Sequence, residues 1–208
     1  MGFPDQAVAL LRKAIQNGVS NEAILGKLGL YLYEAEQYDE AVRQLNLAIK
    51  ADPKDLDNVN YLGMCYTAQG NYKEAEDVFQ KALVLDPTNS MTLNNLGTLY
   101  LTQKQYDRAR KQLQASIAVN PHSAGAYNGL GVISATQKNW DEAIKNWELA
   151  LHESNKNYDA MLNLAFAYLE NNQKDKALPL FQEFEKSAPR NRYAEDLSKV
   201  RAIIQKLQ

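Results

Sequence analysis

Three asparagines, Asn60, Asn94 and Asn128, recur at a fixed interval of 34 residues. A side-chain amide offers two hydrogen-bond donors and an acceptor oxygen. Evenly spaced amides can therefore hydrogen-bond the backbone of an extended peptide without reading its side chains. In a second interpretation, which stays open at this point, each asparagine suits a helix surface and bonds only its own neighbours. Neither interpretation involves catalysis.

Residues that could catalyse a reaction are few and scattered. Cys65 lies among apolar neighbours in the segment YLGMCYTAQG, so we interpret it as a small core residue rather than a nucleophile. The two histidines, His122 and His152, fall near helix ends or loops and lack metal-ligand spacing. The sequence also contains no glycine-rich phosphate-binding loop between a strand and a helix. It therefore predicts a protein that is not an enzyme and that needs no cofactor or metal.

The charge balance limits the class of partner. The chain has 23 basic and 25 acidic residues and a formal net charge of -2, which gives no general attraction to nucleic acid. No apolar run approaches the length of a membrane span, and the N-terminus does not resemble a signal peptide. We therefore expect no nucleic-acid binding and no membrane insertion. Localisation stays open, with a soluble cytoplasmic protein favoured over an exported one.

An internal repeat determines the elements that must position these residues. The segment NYKEAEDVFQKALVLDP at residues 71–87 has counterparts at residues 37–53, 105–121, 139–155 and 173–189. A second shared segment precedes each copy, and it reads KLGLYL, YLGMCY, NLGTLY, GLGVIS and NLAFAY from residues 27, 61, 95, 129 and 163. A fixed period of this length is typical of a solenoid.

Apolar residues at helical spacing predict two antiparallel helices in each repeat. Small residues are expected where the two helices cross, because they let the backbones approach closely. The expected pairs are Gly29 with Ala41, Gly63 with Ala75, Gly97 with Ala109, Gly131 with Ala143, and Ala165 with Ala177. Trp140 and Trp147 replace smaller aromatic or aliphatic residues of other repeats, and we expect both in the core.

Prolines predict where the second helices end. A proline has no N–H and pushes the preceding residue out of helical geometry, so Pro53, Pro87, Pro121 and Pro189 each mark a helix end. The fourth repeat has Asn155 at this position, which predicts a longer helix or a different cap. In the fifth repeat Pro179 lies well inside the second helix, so we expect that helix to start late or to kink.

These motifs, a Leu-Gly pair followed by an aromatic-Asp-Glu-Ala segment and a terminal proline, resemble the tetratricopeptide repeat family over residues 22–189. The resemblance implies an all-α fold, a right-handed superhelical solenoid of antiparallel helix pairs. We expect residues 1–208 to form a single array. Its predicted parts are a half repeat at 1–20, full repeats at 22–55, 56–89, 90–123, 124–157 and 158–191, and a capping helix at 192–208.

The same resemblance implies a binding groove, because the first helices of such repeats line the concave surface. The implied groove residues are Asn60, Asn94, Asn128, Leu30, Tyr33, Met64, Thr67, Thr98, Leu101, Val132, Ala135 and Phe166. Most are apolar, although some could simply pack between adjacent repeats. The few charges in the groove are acidic: Glu34, Asp57, Asp159 and Glu170. A ligand with apolar side chains, and with a basic residue near either end, therefore fits better than an acidic tail.

The two ends of the chain depart from the repeat. Residues 190–208 carry an apolar stripe of Leu197, Val200, Ile203, Ile204 and Leu207, which we interpret as a cap over the last repeat rather than a partner-docking helix. The segment GFPDQAVALLRKAIQNG matches only the second half of a repeat. A chain cut from a longer protein, with Met1 and Gly2 as a cloning remnant, would explain this, and so would an apolar end that dimerises.

Together these features predict a protein–protein interaction scaffold, an adaptor that binds an extended, largely apolar peptide segment in its groove. Its partner would be another protein or peptide, and the chain itself would be a monomer or a weak end-on dimer. Two alternatives stay open. The chain could be the repeat tail of a larger transferase or hydrolase that recruits a substrate or partner, or it could be an assembly module that self-associates through its N-terminal end.

Overall fold

The computed structural model describes residues 3–190 and 192–207, and all the regular secondary structure in these ranges is α-helical. Short turns connect consecutive helices. The helices are α1 (Phe3–Gln16), α2 (Glu22–Glu34), α3 (Tyr38–Ala51), α4 (Leu56–Ala68), α5 (Tyr72–Leu85), α6 (Ser90–Thr102), α7 (Tyr106–Val119), α8 (Ala124–Thr136), α9 (Trp140–Glu153), α10 (Tyr158–Glu170), α11 (Lys174–Ser187) and α12 (Ala194–Leu207). The predicted all-α class, built from paired helices, is confirmed.

The chain forms two compact units, Met1–Gln103 and Lys104–Gln208. In the first unit α2 packs on α3 and α4 packs on α5, while α4 also contacts the first helices α2 and α6. In the second unit α8 packs on α9, α10 packs on α11, and α12 packs on α11. The single array predicted for residues 1–208 stays a prediction.

Side-chain caps begin most of the first helices. Asn21, Asp55, Asn89 and Asn157 each accept a hydrogen bond from a backbone N–H in the first turn of the helix that follows. Such a cap satisfies a backbone donor that has no partner inside the helix. These four residues occupy the same position of the repeat, so the 34-residue period sets the helix starts as well as the core.

The second helices end at equivalent residues. α3, α5 and α7 stop two residues before Pro53, Pro87 and Pro121, as predicted. Without a proline, α9 still ends in the same register at Glu153, where Ser154 adopts an extended conformation. α11 begins at Lys174, in register with the other second helices, and contains Pro179 in its interior. The helix therefore does not start late, and the kink expected as the other possibility stays a prediction.

In three of the helix pairs, the core joins a glycine of the first helix to a large side chain of the second. A Cβ atom built on Gly29, Gly63 or Gly131 would lie within 2.6 Å of a side-chain atom of Leu45, Phe79 or Trp147 respectively. The nearest neighbour of each glycine is thus this large side chain and not the alanine four residues before it. The alanines Ala41, Ala75, Ala143 and Ala177 are nevertheless fully buried. Absence of a side chain on the first helix makes room for an aromatic or leucine side chain on the second.

The two tryptophans have different environments. Trp147 is 4% exposed and belongs to the core of the second unit, as predicted. Trp140, the first residue of α9, is 42% exposed, so the prediction that it lies in the core is wrong. At the C-terminal end, Leu197, Val200 and Ile204 of α12 are buried against the last repeat.

The turn between the two helices of each repeat contains a residue with positive φ. These residues are Glu36 (60°), Gly70 (78°), Lys104 (59°), Lys138 (60°) and Asn172 (56°). Only glycine adopts this conformation without a steric cost, which for other residues is about 1 kcal/mol. Four repeats therefore place a strained residue in this turn.

Replacing Lys138 with glycine is expected to raise the free energy of unfolding of the second unit by about 0.5–1 kcal/mol, because the strain is removed. Urea denaturation followed by circular dichroism measures the change. As a control, Gly70→Ala should lower the stability of the first unit by about 1 kcal/mol. Nothing lies within 4 Å of the new Cβ in that variant, so only the backbone conformation changes. A loss of stability in Lys138→Gly would contradict this account of the turns.

Candidate functional site

The first asparagine of the row, Asn60, is fully buried between first helices. Its Nδ2 donates to the carbonyl oxygen of Leu56 at 2.9 Å, and its Oδ1 accepts from Nδ2 of Asn95 at 3.2 Å. The side chain thus bonds its own helix and joins α4 to α6. The expectation that Asn60 faces an open groove is wrong, because its amide is enclosed and already paired.

The other two asparagines are half-buried. Oδ1 of Asn128 accepts from Nδ2 of Asn163 at 3.4 Å, which joins α8 to α10 in the second unit. Nδ2 of Asn94 lies 3.4 Å from Oδ1 of Asn95, while Oδ1 of Asn94 is buried and has no hydrogen-bond partner within the described part of the chain. Asn60 and Asn128 are thus each bonded by the asparagine that stands one position later in the next repeat, Asn95 and Asn163 respectively. The sequence analysis did not predict this role. The 35-residue spacing of the two pairs was the available signal.

The apolar groove residues of the first unit are only partly exposed. Leu30, Tyr33, Met64, Thr67 and Leu101 are half-buried, and Thr98 is exposed. The hydroxyl groups of Thr67 and Thr98 donate to the carbonyl oxygens of Gly63 and Asn94 in their own helices, at 2.9 and 3.0 Å. Their hydroxyl hydrogens are therefore used within the helix. This face offers mainly apolar and aromatic contact area.

In the second unit the predicted groove residues pack partly against the core. Val132 and Ala135 of α8 are half-buried and contact buried residues of that unit. Phe166 of α10 is 37% exposed, and its ring meets the ring of Phe181 edge to face at 5.2 Å. Phe166 is thus the most accessible apolar side chain among the predicted residues of this unit.

Two tyrosines of the first unit lie side by side, and the sequence analysis predicted only Tyr33 as a site residue. The ring of Tyr61 on α4 lies 6.5 Å from that of Tyr33 on α2, between centroids. Burial and the nearby charges of Asp57 and Glu34 raise the pKa of the Tyr61 hydroxyl. Burial also raises the pKa of the Glu34 carboxyl, although its side chain reaches solvent. One signal was present in the sequence, a tyrosine at the position occupied by asparagine in two other repeats.

In the second unit an aspartate is bound by the chain itself. Asp159 on α10 accepts a hydrogen bond from the Tyr193 hydroxyl at 2.7 Å and one from Nη2 of Arg192 at 3.0 Å. The Arg192 guanidinium also lies over the Tyr193 ring, 5.1 Å from its centroid. Asp159, the second residue of the fifth repeat, therefore holds an arginine that another segment supplies.

Two open depressions occur at equivalent turns, one in each unit. The first is lined by Glu36, Gln37, Tyr38, Asp39, Glu40, Arg43 and Gln69, and the second by Lys104, Gln105, Tyr106, Asp107, Arg108 and Gln137. None of the predicted groove residues lines either of them. Most of the side chains that line them are charged groups or amides.

Neither an exposed thiol nor a cluster of metal ligands is present within residues 3–190 and 192–207. Cys65 is fully buried, and burial raises the pKa of its thiol to about 12, so it stays protonated. No group of three metal-ligating side chains occurs in the described ranges. None of the helices described is long and apolar enough to cross a membrane.

Comparison with known proteins gives family and structural matches. Two family profiles, both described as tetratricopeptide repeat, match the chain: the first at residues 1–55, 27–90 and 94–158, the second at residues 134–199. TTC0263, a thermophilic TPR protein of Thermus thermophilus, has 21% identity and a TM-score of 0.75, over 90% of this chain and 98% of that chain. No curated protein matches the chain significantly.

Two further solved structures have the same fold. PilF of Pseudomonas aeruginosa has 21% identity and a TM-score of 0.69, over 89% of this chain and 88% of that chain. MamA (41-end) of Desulfovibrio magneticus RS-1 has 23% identity and a TM-score of 0.57, over 80% of this chain and 95% of that chain.

Proposed function

Because the chain belongs to the tetratricopeptide repeat family, whose fold supports protein–protein interaction scaffolds, we propose that it is a non-catalytic adaptor for an extended, largely apolar segment of another protein. The proposed binding face consists of the first helices of the first unit, α2, α4 and α6. Its contact residues are Leu30, Tyr33, Met64, Thr98 and Leu101.

The observation that carries this proposal is the partly exposed apolar surface of that face. α4 contacts both α2 and α6, so the three helices lie side by side. Leu30, Met64 and Leu101 occur on consecutive first helices and keep part of their surface in solvent. Burying such surface against a partner is favourable, and a thioether adapts to varied side chains.

The asparagines have a smaller part in this proposal than their spacing suggests. Asn60 and Asn128 already bond other asparagines, so an extended backbone would have to displace those bonds. Asn94, with its long contact to Asn95, is the remaining candidate for a backbone hydrogen bond. The apolar side chains therefore provide most of the proposed contact area.

A peptide-library selection on the purified protein tests the proposal when the selected peptides are then measured against Met64→Glu. The new charge faces the proposed site, so we expect affinity to fall roughly tenfold or more, which corresponds to about 1.4 kcal/mol. Binding is measured by fluorescence anisotropy, and circular dichroism checks that each variant is folded.

A matched variant places the same charge outside the proposed face. Val84 on the second helix α5 is 82% exposed, and Val84→Glu should leave the affinity within about twofold. Equal binding to the parent protein and to Met64→Glu would overturn the proposed face. The Asn60 side chain is unsuited to this test, because Asn60→Ala would leave the half-buried Asn95 amide without its partner.

The two alternatives, the repeat tail of a larger enzyme and end-on self-association, stay predictions. Phe3 and Leu10 of α1 are 71% and 69% exposed, which is the surface that self-association would use.

A further inference from the structure

Two tyrosine rings and two carboxylates form one group on the first unit. Tyr33 and Glu34 are consecutive on α2, while Asp57 and Tyr61 are one helical turn apart on α4. The two rings are 6.5 Å apart between centroids and tilted by 46°. We call Tyr33, Glu34, Asp57 and Tyr61 the tyrosine–carboxylate group. Within the described residues, neither Glu34 nor Asp57 forms an ion pair.

The electrostatics of this group favour a cation. The charges of Asp57 and Glu34 both raise the pKa of the Tyr61 hydroxyl, and Asp57 stands one helical turn before Tyr61 on α4. Removal of water from Glu34 raises the pKa of its carboxyl, and no neighbouring cation in the described ranges offsets that effect. Lys27, the basic residue on α2, forms no ion pair in the described part of the chain. A cation brought to this position would be attracted by two carboxylates and two ring faces.

In the second unit, the aspartate equivalent to Asp57 already holds an arginine. Asp159 stands at the same position of its repeat as Asp57, three periods later in the sequence. The carboxylate of Asp159 accepts from the Arg192 guanidinium, which lies over the ring of Tyr193. The chain thus uses an aspartate at this repeat position to hold an arginine side chain, and the tyrosine under the guanidinium is the arginine's own neighbour in the sequence. The arginine comes from the segment that follows the last repeat.

We propose that the tyrosine–carboxylate group holds an arginine side chain of the bound partner segment. The inference rests on the proposed function and adds to it the chemistry of one partner residue. Arginine fits better than lysine because its planar guanidinium stacks on aromatic rings and donates to carboxylates at the same time. The partner segment is then apolar along the helices α4 and α6 and carries its arginine toward α2.

A titration with a single amino acid derivative tests this group without a partner peptide. The probe is Nα-acetyl-L-arginine methylamide, and its control is the citrulline analogue, which has the same shape but no charge. Ring resonances of Tyr33 and Tyr61, assigned with Tyr→Phe variants, are followed by NMR on the full chain. We expect saturable shifts with the arginine probe at millimolar concentration, and affinity for citrulline about fivefold or more weaker.

Two pairs of substitutions locate the site. Glu34→Gln with Asp57→Asn removes both charges at little change in shape, and we expect the arginine affinity to fall about fivefold or more. The control pair, Glu74→Gln with Asp77→Asn, removes two carboxylates from α5, outside the group, and should leave the affinity unchanged. Arginine shifts that do not saturate, that citrulline reproduces, or that persist in Glu34→Gln/Asp57→Asn would overturn the proposal.

The outcome is separable from that of the proposed function. If Met64→Glu leaves peptide affinity unchanged but the arginine probe still binds, the proposed apolar face fails and the arginine site survives. If selected peptides lose affinity in Met64→Glu while the probe does not bind, the adaptor function stands and the arginine site is rejected.

Discussion

Replacing Phe79 with alanine is expected to lower the free energy of unfolding of the first unit by about 3–5 kcal/mol. Phe79 is 1% exposed, and its ring occupies the space that Gly63 leaves by having no side chain. Truncation removes the apolar contacts and leaves a cavity that the surrounding helices can fill only in part. Urea denaturation, monitored by circular dichroism, measures the loss.

Val84→Ala is the matched control for this substitution, since it lies on the same helix. Val84 is 82% exposed, and its truncation should change stability by no more than about 0.5 kcal/mol. A loss below about 1 kcal/mol in Phe79→Ala would mean that the first helix closes over the cavity, and that the glycine does not set the distance between the two backbones.

Replacing Gly131 with alanine is expected to lower the free energy of unfolding of the second unit by about 1–3 kcal/mol. The new Cβ would lie 2.5 Å from Nε1 and 2.7 Å from Cδ1 of Trp147, closer than atoms can approach. Because the indole ring is 4% exposed and rigid, the two helices must separate or the ring must leave its position.

A second substitution tests whether the ring causes that loss. The corresponding pair in the fifth repeat is Ala165 with Phe181, both fully buried, so an alanine and a phenylalanine are compatible in this position. In the Trp147→Phe background, Gly131→Ala should therefore cost less than half of what it costs in the parent protein. Trp147→Phe also removes a buried indole N–H that has no hydrogen-bond partner within the described residues.

A double-mutant cycle from urea denaturation of the four proteins gives the coupling between the two residues. Equal costs of Gly131→Ala in both backgrounds would contradict a direct contact between Gly131 and residue 147.

The repeat could be predicted from the sequence because each of its signals acts on residues that are close along the chain. The caps at Asn21, Asp55 and Asn89, and the extended residues before Pro53 and Pro87, act on backbone groups a few residues away. Helix boundaries therefore follow from the sequence with little help from packing. Pro179 shows where that reasoning fails, because α11 stays in register although a proline disfavours its interior.

The candidate site was harder to predict from the sequence, because the solvent exposure of each side chain depends on residues of the neighbouring repeats. Asn60 and Asn94 occupy the same repeat position, which the family resemblance assigns to the groove, yet the first is fully buried and the second is half-buried. What differs is the residue of the next helix, since Asn95 reaches Asn60 and closes its amide. Trp140 was assigned to the core by its type, but its position at the start of α9 leaves its ring in solvent.

The sequence by itself determined the family, the helix pairs and their boundaries, because a 34-residue period, caps and prolines act through the local backbone. Only the tertiary structure decided which large side chain fills the space beside each glycine, which asparagines bond one another, and which of the described carboxylates are left without a cation. Those outcomes depend on side chains that are distant in the sequence and meet only when helices pack, and neither composition nor spacing fixes such contacts.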